Sequence, residues 1–264
     1  MHKKPASFPW AMGTLFDICR SEFERLRPLY EEQCGVDLSE VRFLNPREFA
    51  SQSIRNENIL PLKGVKALTS AYCAASYPAW YDAGLPAITV NERMLQKRDM
   101  PPAYAVAHEL GHATQEARAH LDPNFYGSLW TKAAKRGLQE VRGLRDALDL
   151  VTEAGEFFGE VTKVQQILLE GGAIALQSDY LTGLDTALAE HTADVREALL
   201  DSAATGMLNG LTAKFSAPWD KIRGYAFFHA VMQDTGKEGI WLPFRKPALS
   251  MEEIGNPAAY LGRA

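Results

Sequence analysis

The stretch that most limits what this chain can be is Val106-Ala107-His108-Glu109-Leu110-Gly111-His112-Ala113. It lies in a run of helical character, and on a helix residues four apart stack on one face. His108 and His112 can therefore aim both imidazoles at one point, a spacing that suits two ligands of a tetrahedral Zn²⁺. Glu109, one residue on, points to the side, where a carboxylate can take a proton from water without being a ligand. Only 6 of the 264 residues are histidine, so two at this spacing around a glutamate form a specific signal. Val106, Ala107, Leu110, Gly111 and Ala113 carry no charge, as a helix buried on most sides requires. The bland alternative is an ordinary helix that carries two histidines.

Composition sets the outer bounds. At 46% hydrophobic and 23% charged residues the chain can fill a core, and it lies well away from disordered compositions. A net charge of −5 and the lack of a basic block give no footprint for nucleic acid or an anionic membrane. The three cysteines (Cys19, Cys34, Cys73) have no CxxC spacing and fit reduced thiols in a reducing compartment. No apolar segment follows Lys3-Lys4, and no run reaches the ~18 apolar residues of a membrane span. A cytoplasmic protein is the expectation.

Along the chain, Leu15, Ile18, Cys19, Phe23, Leu26 and Tyr30 recur at helical spacing up to Cys34, with Gly35 as a stop. Asn45-Pro46 reads as an N-cap followed by Pro at the first helical position, opening a helix to about residue 55. Val65–Tyr72 and Ala87–Asn91, joined by a Tyr/Pro/Gly-rich bend over 77–86, read as two strands of a small sheet. That sheet is expected beside the metal helix, with an edge able to take an extended peptide; a purely structural hairpin is the alternative. The metal helix is expected over about 102–119, with a helix start at Asp99, Pro101 and Pro102. Further helices are expected from Asp122-Pro123, over about 138–151, 156–182, 185–204 and 217–234, and after Ser250, where Ser250 and Glu253 form a capping box. The fold class is thus mainly α with a small β-sheet. Residues 1–264 form one domain: a helical part to 61, a metal-site core over 62–205 and a helical part over 206–264.

A catalytic zinc ordinarily takes three protein ligands and a water. The spacing that supplies a third histidine, His-Glu-x-x-His-x-x-Gly-x-x-His, is excluded because Gln115 and Arg118 occupy its last two fixed positions. Glu170 is the best remaining candidate. It is the only charge within residues 164–178, among Ile167, Leu168, Leu169 and Ile174, where a carboxylate without a partner is costly. Gly171, Gly172 and Ala173 are small enough to let this helix approach the metal helix. Glu156 and Glu160 are weaker candidates on a more polar turn, and Glu170 at a solvated rim is the bland reading. With His-Glu-Leu-Gly-His and a downstream helical Glu, the chain resembles the gluzincin-type zinc metallopeptidases. Within that group Ala87–Asn91, Ala107–Gln115 and Glu170–Ala175 resemble the bacterial neutral zinc metallopeptidase family. The resemblance spans about residues 62–205 and is specific only at the His-Glu-x-x-His segment. It implies a zincin-like core, one Zn²⁺ on His108, His112 and Glu170, Glu109 as general base, and a peptide or protein substrate. Two features depart from it: members of that family are usually membrane-embedded, and Ile174 stands where larger gluzincins carry an acid that orients a ligand histidine.

Peptide hydrolysis also wants a donor for the oxyanion of the tetrahedral intermediate. Tyr225 and His229, four apart on one helix, are the candidates, and a hydrogen-bonded core pair is the plain alternative. His191, His120 and Phe227-Phe228 read as core residues. The functional expectation is a soluble zinc metallopeptidase. Two alternatives stand beside it: a silent relative whose metal site serves as a staple or binding module, and a zinc hydrolase of a non-peptide amide.

Overall fold

A computed structural model describes residues 14–55, 70–121, 163–206, 217–246, 248 and 250–263. The helices expected from Asp122 and over 138–151, the start of the strand expected from Val65, and the candidates Glu156 and Glu160 lie outside the described residues. The chain groups into two compact units. The first comprises Met1–Pro28 and Ser39–Ala107, the second Leu29–Leu38 and His108–Ala264. The described residues are mainly helical with one small sheet.

The first unit is built on that sheet. Strands β1 (Arg42–Leu44), β2 (Ala79–Asp82) and β3 (Ala87–Val90) lie in the order β1-β3-β2. β3 runs parallel to β1, with Phe43 opposite Ile88, and antiparallel to β2, with Trp80 opposite Thr89. All four β3 residues, Thr89 included, are buried, as befits the central strand of the sheet. Helix α1 spans Leu15–Cys34, and Gly35 follows it at φ +61°, the left-handed stop that favours glycine. Helix α2 (Pro46–Arg55) begins as its sequence signals: Asn45 Oδ1 accepts from the Arg47 and Glu48 amides at 3.0 Å, and Glu48 accepts from the Asn45 amide at 2.9 Å. Leu44, Phe49, Trp80, Leu85 and Ala87 form one core cluster, with Phe49 edge-on to Trp80 at 5.5 Å.

Three expectations fail here. Residues 70–76 are a helix, α3, and not part of a strand. The partner of β3 is β2, inside the stretch expected to be a bend; the turn itself occupies residues 83–86, where Asp82 Oδ1 accepts from the Leu85 amide at 2.7 Å. Asn91 is not the end of a strand but the N-cap of a further helix, α4 (Glu92–Arg98), which Asp99 closes in the left-handed conformation. Helix α5 (Pro102–Leu121) therefore starts at Pro102.

The second unit holds the remaining helices. Helix α6 covers residues 163–175 and widens into a π turn, Leu176–Tyr180. Then come α7 (Thr186–Gly206), α8 (Ala217–Thr235), a 3₁₀ turn (Lys237–Trp241), α9 (Leu242–Arg245), α10 (Met251–Gly255) and α11 (Pro257–Arg263). Ser250 caps α10 through the Glu253 amide at 3.3 Å, as expected. Its core includes an aromatic group in which Phe228 packs on Phe244 at 5.2 Å and Phe227 on Tyr260 at 5.0 Å. Arg118, the position that ruled out a third histidine, lies over the Trp241 ring at 4.9 Å. His120 is no core residue: it is exposed and faces Glu116 at 3.2 Å.

Helix packing in the second unit depends on two close approaches. A Cβ built on Gly111 of α5 would lie 3.0 Å from Ala173 of α6. A Cβ on Gly171 of α6 would fall onto the backbone of Gly224 in α8, and one on Gly224 would fall onto the Ile167 carbonyl. Three helices thus approach backbone to backbone around residues 170–173.

All three cysteines are free thiols. Burial pushes Cys19 and Cys34 up to about 12, whereas Cys73 is only partly buried and is raised less. A thiolate-directed reagent at pH 8 is expected to modify Cys73 first in the native protein, and Cys19 and Cys34 only on unfolding. Mass mapping of the modified peptides over time checks the order.

Candidate metal centre

His108 and His112 project from consecutive turns of α5, their ring centroids 4.8 Å apart. Glu170 comes from α6, held close by the Gly111–Ala173 approach. It turns one carboxylate oxygen to each ring: Oε2 lies 3.3 Å from His108 Nε2, and Oε1 lies 3.9 Å from His112 Nε2. The three ligand atoms fall within 4.8 Å of one another, one such group among the described residues. A tetrahedral ion with bonds of about 2 Å holds its donors about 3.4 Å apart, so the donors need only close in slightly. Two nitrogens and one carboxylate oxygen are also a donor set zinc accepts.

What holds the ligands matters as much as their spacing. His112 Nδ1 faces Gln115 Oε1 at 3.2 Å, while Gln115 Nε2 donates to the Leu169 carbonyl at 2.9 Å. That second bond fixes the amide with its oxygen toward the imidazole. His112 therefore donates from Nδ1 and keeps the Nε2 lone pair for an ion. Gly172 makes the arrangement possible, since a Cβ there would lie 2.8 Å from Gln115 Nε2 and 2.5 Å from the Phe244 ring. Replacing Gln115 with Leu is expected to weaken zinc binding about 10- to 100-fold. Competition against a chromophoric chelator measures this, and an unchanged affinity would remove Gln115 from the centre.

His108 Nδ1 is buried and meets no hydrogen-bond partner among the described residues. Burial, reinforced by the positive charge of Lys221, pushes His108 down to about 4 despite the Glu170 carboxylate nearby. The imidazole is therefore neutral at neutral pH, as ligation demands. Burial acts to raise Glu170, but the His108 hydrogen bond and the nearby charges outweigh it, so the carboxyl is held well below the usual range and stays ionised. With His108 neutral, the cation that pairs with Glu170 Oε2 beside it is Lys221, at 2.7 Å.

Sequence reasoning missed Lys221. It lies on α8, with its ammonium also 3.4 Å from His108 Nε2. A lysine in the first turns of an amphipathic helix looks solvated, and only the Gly171–Gly224 approach brings its helix to Glu170. Gln115 was visible only as a departure from the three-histidine spacing. Glu109 is buried next to His108, with 7% exposure.

The other two expected residues gather elsewhere. Tyr225 donates to Asp179 of the π turn at 3.0 Å, and His229 Nδ1 lies 3.0 Å from the same carboxylate. Arg196 of α7 completes this second cluster, 3.7 Å from Asp179. Burial, then the Asp179 charge, raises the Tyr225 phenol far above its ordinary value, so it remains a donor. The structure thus brings His108, His112 and Glu170 together, and gathers Tyr225 and His229 around Asp179. No helix among the described residues is long and apolar enough to cross a membrane. No family model, curated protein or solved structure matches the chain, so what it can do rests on these side chains and their arrangement.

Proposed function

We propose that this chain is a zinc-dependent hydrolase of peptide bonds with a zincin-like metal core, in which His108, His112 and Glu170 hold a single ion. The observation that carries the reading is the carboxylate of Glu170, brought in from a separate helix with one oxygen toward each imidazole of the His-Glu-x-x-His pair. When bound, zinc supplies Lewis acidity, which polarises a carbonyl and lowers the pKa of water toward about 7. Glu109, buried on the same helix, takes the proton of the attacking water and returns it to the leaving amine. Gln115 holds His112 in the ligating tautomer. The two residues expected as oxyanion donors, Tyr225 and His229, are both engaged with Asp179 in the second cluster, so neither is given that role in this scheme. Tyr225, whose hydroxyl is given to Asp179, holds the cluster in place.

One observation favours a second reading. The Lys221 ammonium against Glu170 would suit a silent centre in which an ion pair replaces the metal. Metal analysis after dialysis, together with digestion of a peptide library, separates the two. The proposal expects one zinc per chain, peptide cleavage, and loss of the metal in Glu170→Ala. Stoichiometric zinc in Glu170→Ala would remove Glu170 as a ligand, and a chain that takes up no zinc would leave the silent centre. Cleavage of non-peptide amides alone would change the substrate class.

A further inference from the structure

We propose that Lys221 is the resident counter-cation of the His108–His112–Glu170 centre, a side chain that zinc has to displace and that therefore sets the metal affinity. This rests on the zinc reading above and adds to it a residue with a defined role in metal exchange.

The geometry is specific. Lys221 Nζ lies 2.7 Å from Glu170 Oε2 and 3.4 Å from His108 Nε2. These are two of the atoms on which an ion would sit, and the ammonium and an ion cannot occupy the same place against them. Two positive charges at contact distance also repel strongly in a partly buried site. Occupation by zinc and the present position of Lys221 therefore exclude each other.

Lys221 also has the means to leave. Its backbone sits one turn before Gly224, where α8 is pinned to Gly171 of α6, so the helix cannot withdraw. The side chain can: it is 42% exposed, against 10% for His108, and its four-carbon stem is flexible. A neighbouring link between the same two helices, Lys163 of α6 to Asp220 of α8 at 2.8 Å, does not touch the three ligands and stays in place as the ammonium swings to water.

The arrangement has a purpose in the metal-free chain. A carboxylate facing one buried and one half-buried imidazole with no cation nearby is poorly compensated. Lys221 supplies the missing charge and keeps the three ligands gathered before any ion arrives. The cost is a weaker grip on the metal, because each binding event must break the Lys221 contacts.

The test uses the full chain and zinc alone. Lys221→Met keeps the stem and removes the charge, and is expected to bind zinc about tenfold more tightly than the native chain, the scale of a lost charge-assisted hydrogen bond. Its metal-free Tm should fall below that of the metal-free native chain, and the gap should close or reverse on adding zinc. Lys221→Arg keeps the cation and should show no tightening. Lys163→Met removes a charge from the same pair of helices away from the ligands, and should leave zinc affinity unchanged. Should Lys221→Met not fold, Lys221→Gln carries the same expectation. Native chain and Lys221→Met binding zinc with one affinity would overturn the role of Lys221 and leave the zinc centre standing. Equal tightening in Lys163→Met would assign the effect to the general field and likewise overturn it. Zinc uptake by neither protein would end both this inference and the zinc reading.

Discussion

Glu109→Gln is expected to bind zinc as the native chain does and to lose peptide hydrolysis by about 10³-fold. The amide nearly matches the carboxylate in size, so the buried position next to His108 need not repack. His108, His112 and Glu170 are untouched, and with them the ion. What disappears is the one group in the proposed scheme that can accept a proton from the attacking water and pass it to the leaving nitrogen. Amide nitrogen and oxygen both lack the basicity for that transfer. The measurement is kcat against bound zinc on the same preparation. Full zinc with turnover down by about three orders of magnitude is the expected pair. Turnover near the native value would place the base elsewhere. Loss of zinc along with activity would make Glu109 part of the metal's surroundings and not the proton carrier.

A single methyl group at Gly224 is expected to cost the fold about 2 kcal/mol, even though alanine outranks glycine in a helix interior by about 1 kcal/mol. The sign follows from the close approach of α6 and α8: a Cβ at residue 224 falls onto the Ile167 carbonyl and lies 2.9 Å from Gly171 Cα. Backbone atoms cannot turn aside as a flexible side chain can, so the helices must part. Glu170 and Lys221 flank that crossing, and parting them also disturbs the centre. Gly224→Ala should therefore lower Tm by roughly 4–8 °C and weaken zinc binding in the same protein. Gly262→Ala is the control. Nothing lies within 4 Å of a Cβ there, so the ordinary helix preference should appear as a neutral or slightly stabilising change. A Gly224→Ala protein at least as stable as the native chain would mean that α6 and α8 do not meet as described.

Local signals in the sequence were strong wherever a few adjacent residues decide the outcome. Asn45, Pro46 and Glu48 fix the start of α2 through three short-range hydrogen bonds. The His108–His112 spacing fixes a shared helix face without outside help, and the solitary charge of Glu170 in an apolar run marked the carboxylate that joins it. Failures came where distant partners decide. Strand β1 has three residues, too few for any period to show, and it exists because β3 pairs with it. Strand β2 hides in a segment rich in Tyr, Pro and Gly, where tertiary context overrides propensity; residues 70–76 hold one aromatic, three alanines and no β-branched residue, a composition that suits the helix they form. Asn91 serves as a helix cap at the end of a strand, and a run read for strand periodicity does not reveal a cap. Lys221 acquires its role only when α6 and α8 meet, because it has no spacing to the ligands that a linear reading can recognise, whereas Gln115 lies three residues after His112 on α5 and only the Leu169 carbonyl of α6 decides which way its amide turns. The grouping of Tyr225 and His229 on Asp179 depends on the π turn, which no sequence pattern marked.

That π turn has a consequence of its own. Its wider winding is recorded in the bond from the Leu181 amide to the Leu176 carbonyl, 2.9 Å across five residues instead of four. The additional residue alters the direction in which Asp179 emerges and turns it toward α8, where Tyr225 and His229 receive it. Deleting one residue between 176 and 180 would restore ordinary winding, rotate Asp179 by about 100°, and strand a buried phenol that has no other acceptor among the described residues. Over this segment side chains can drift, but the number of residues cannot.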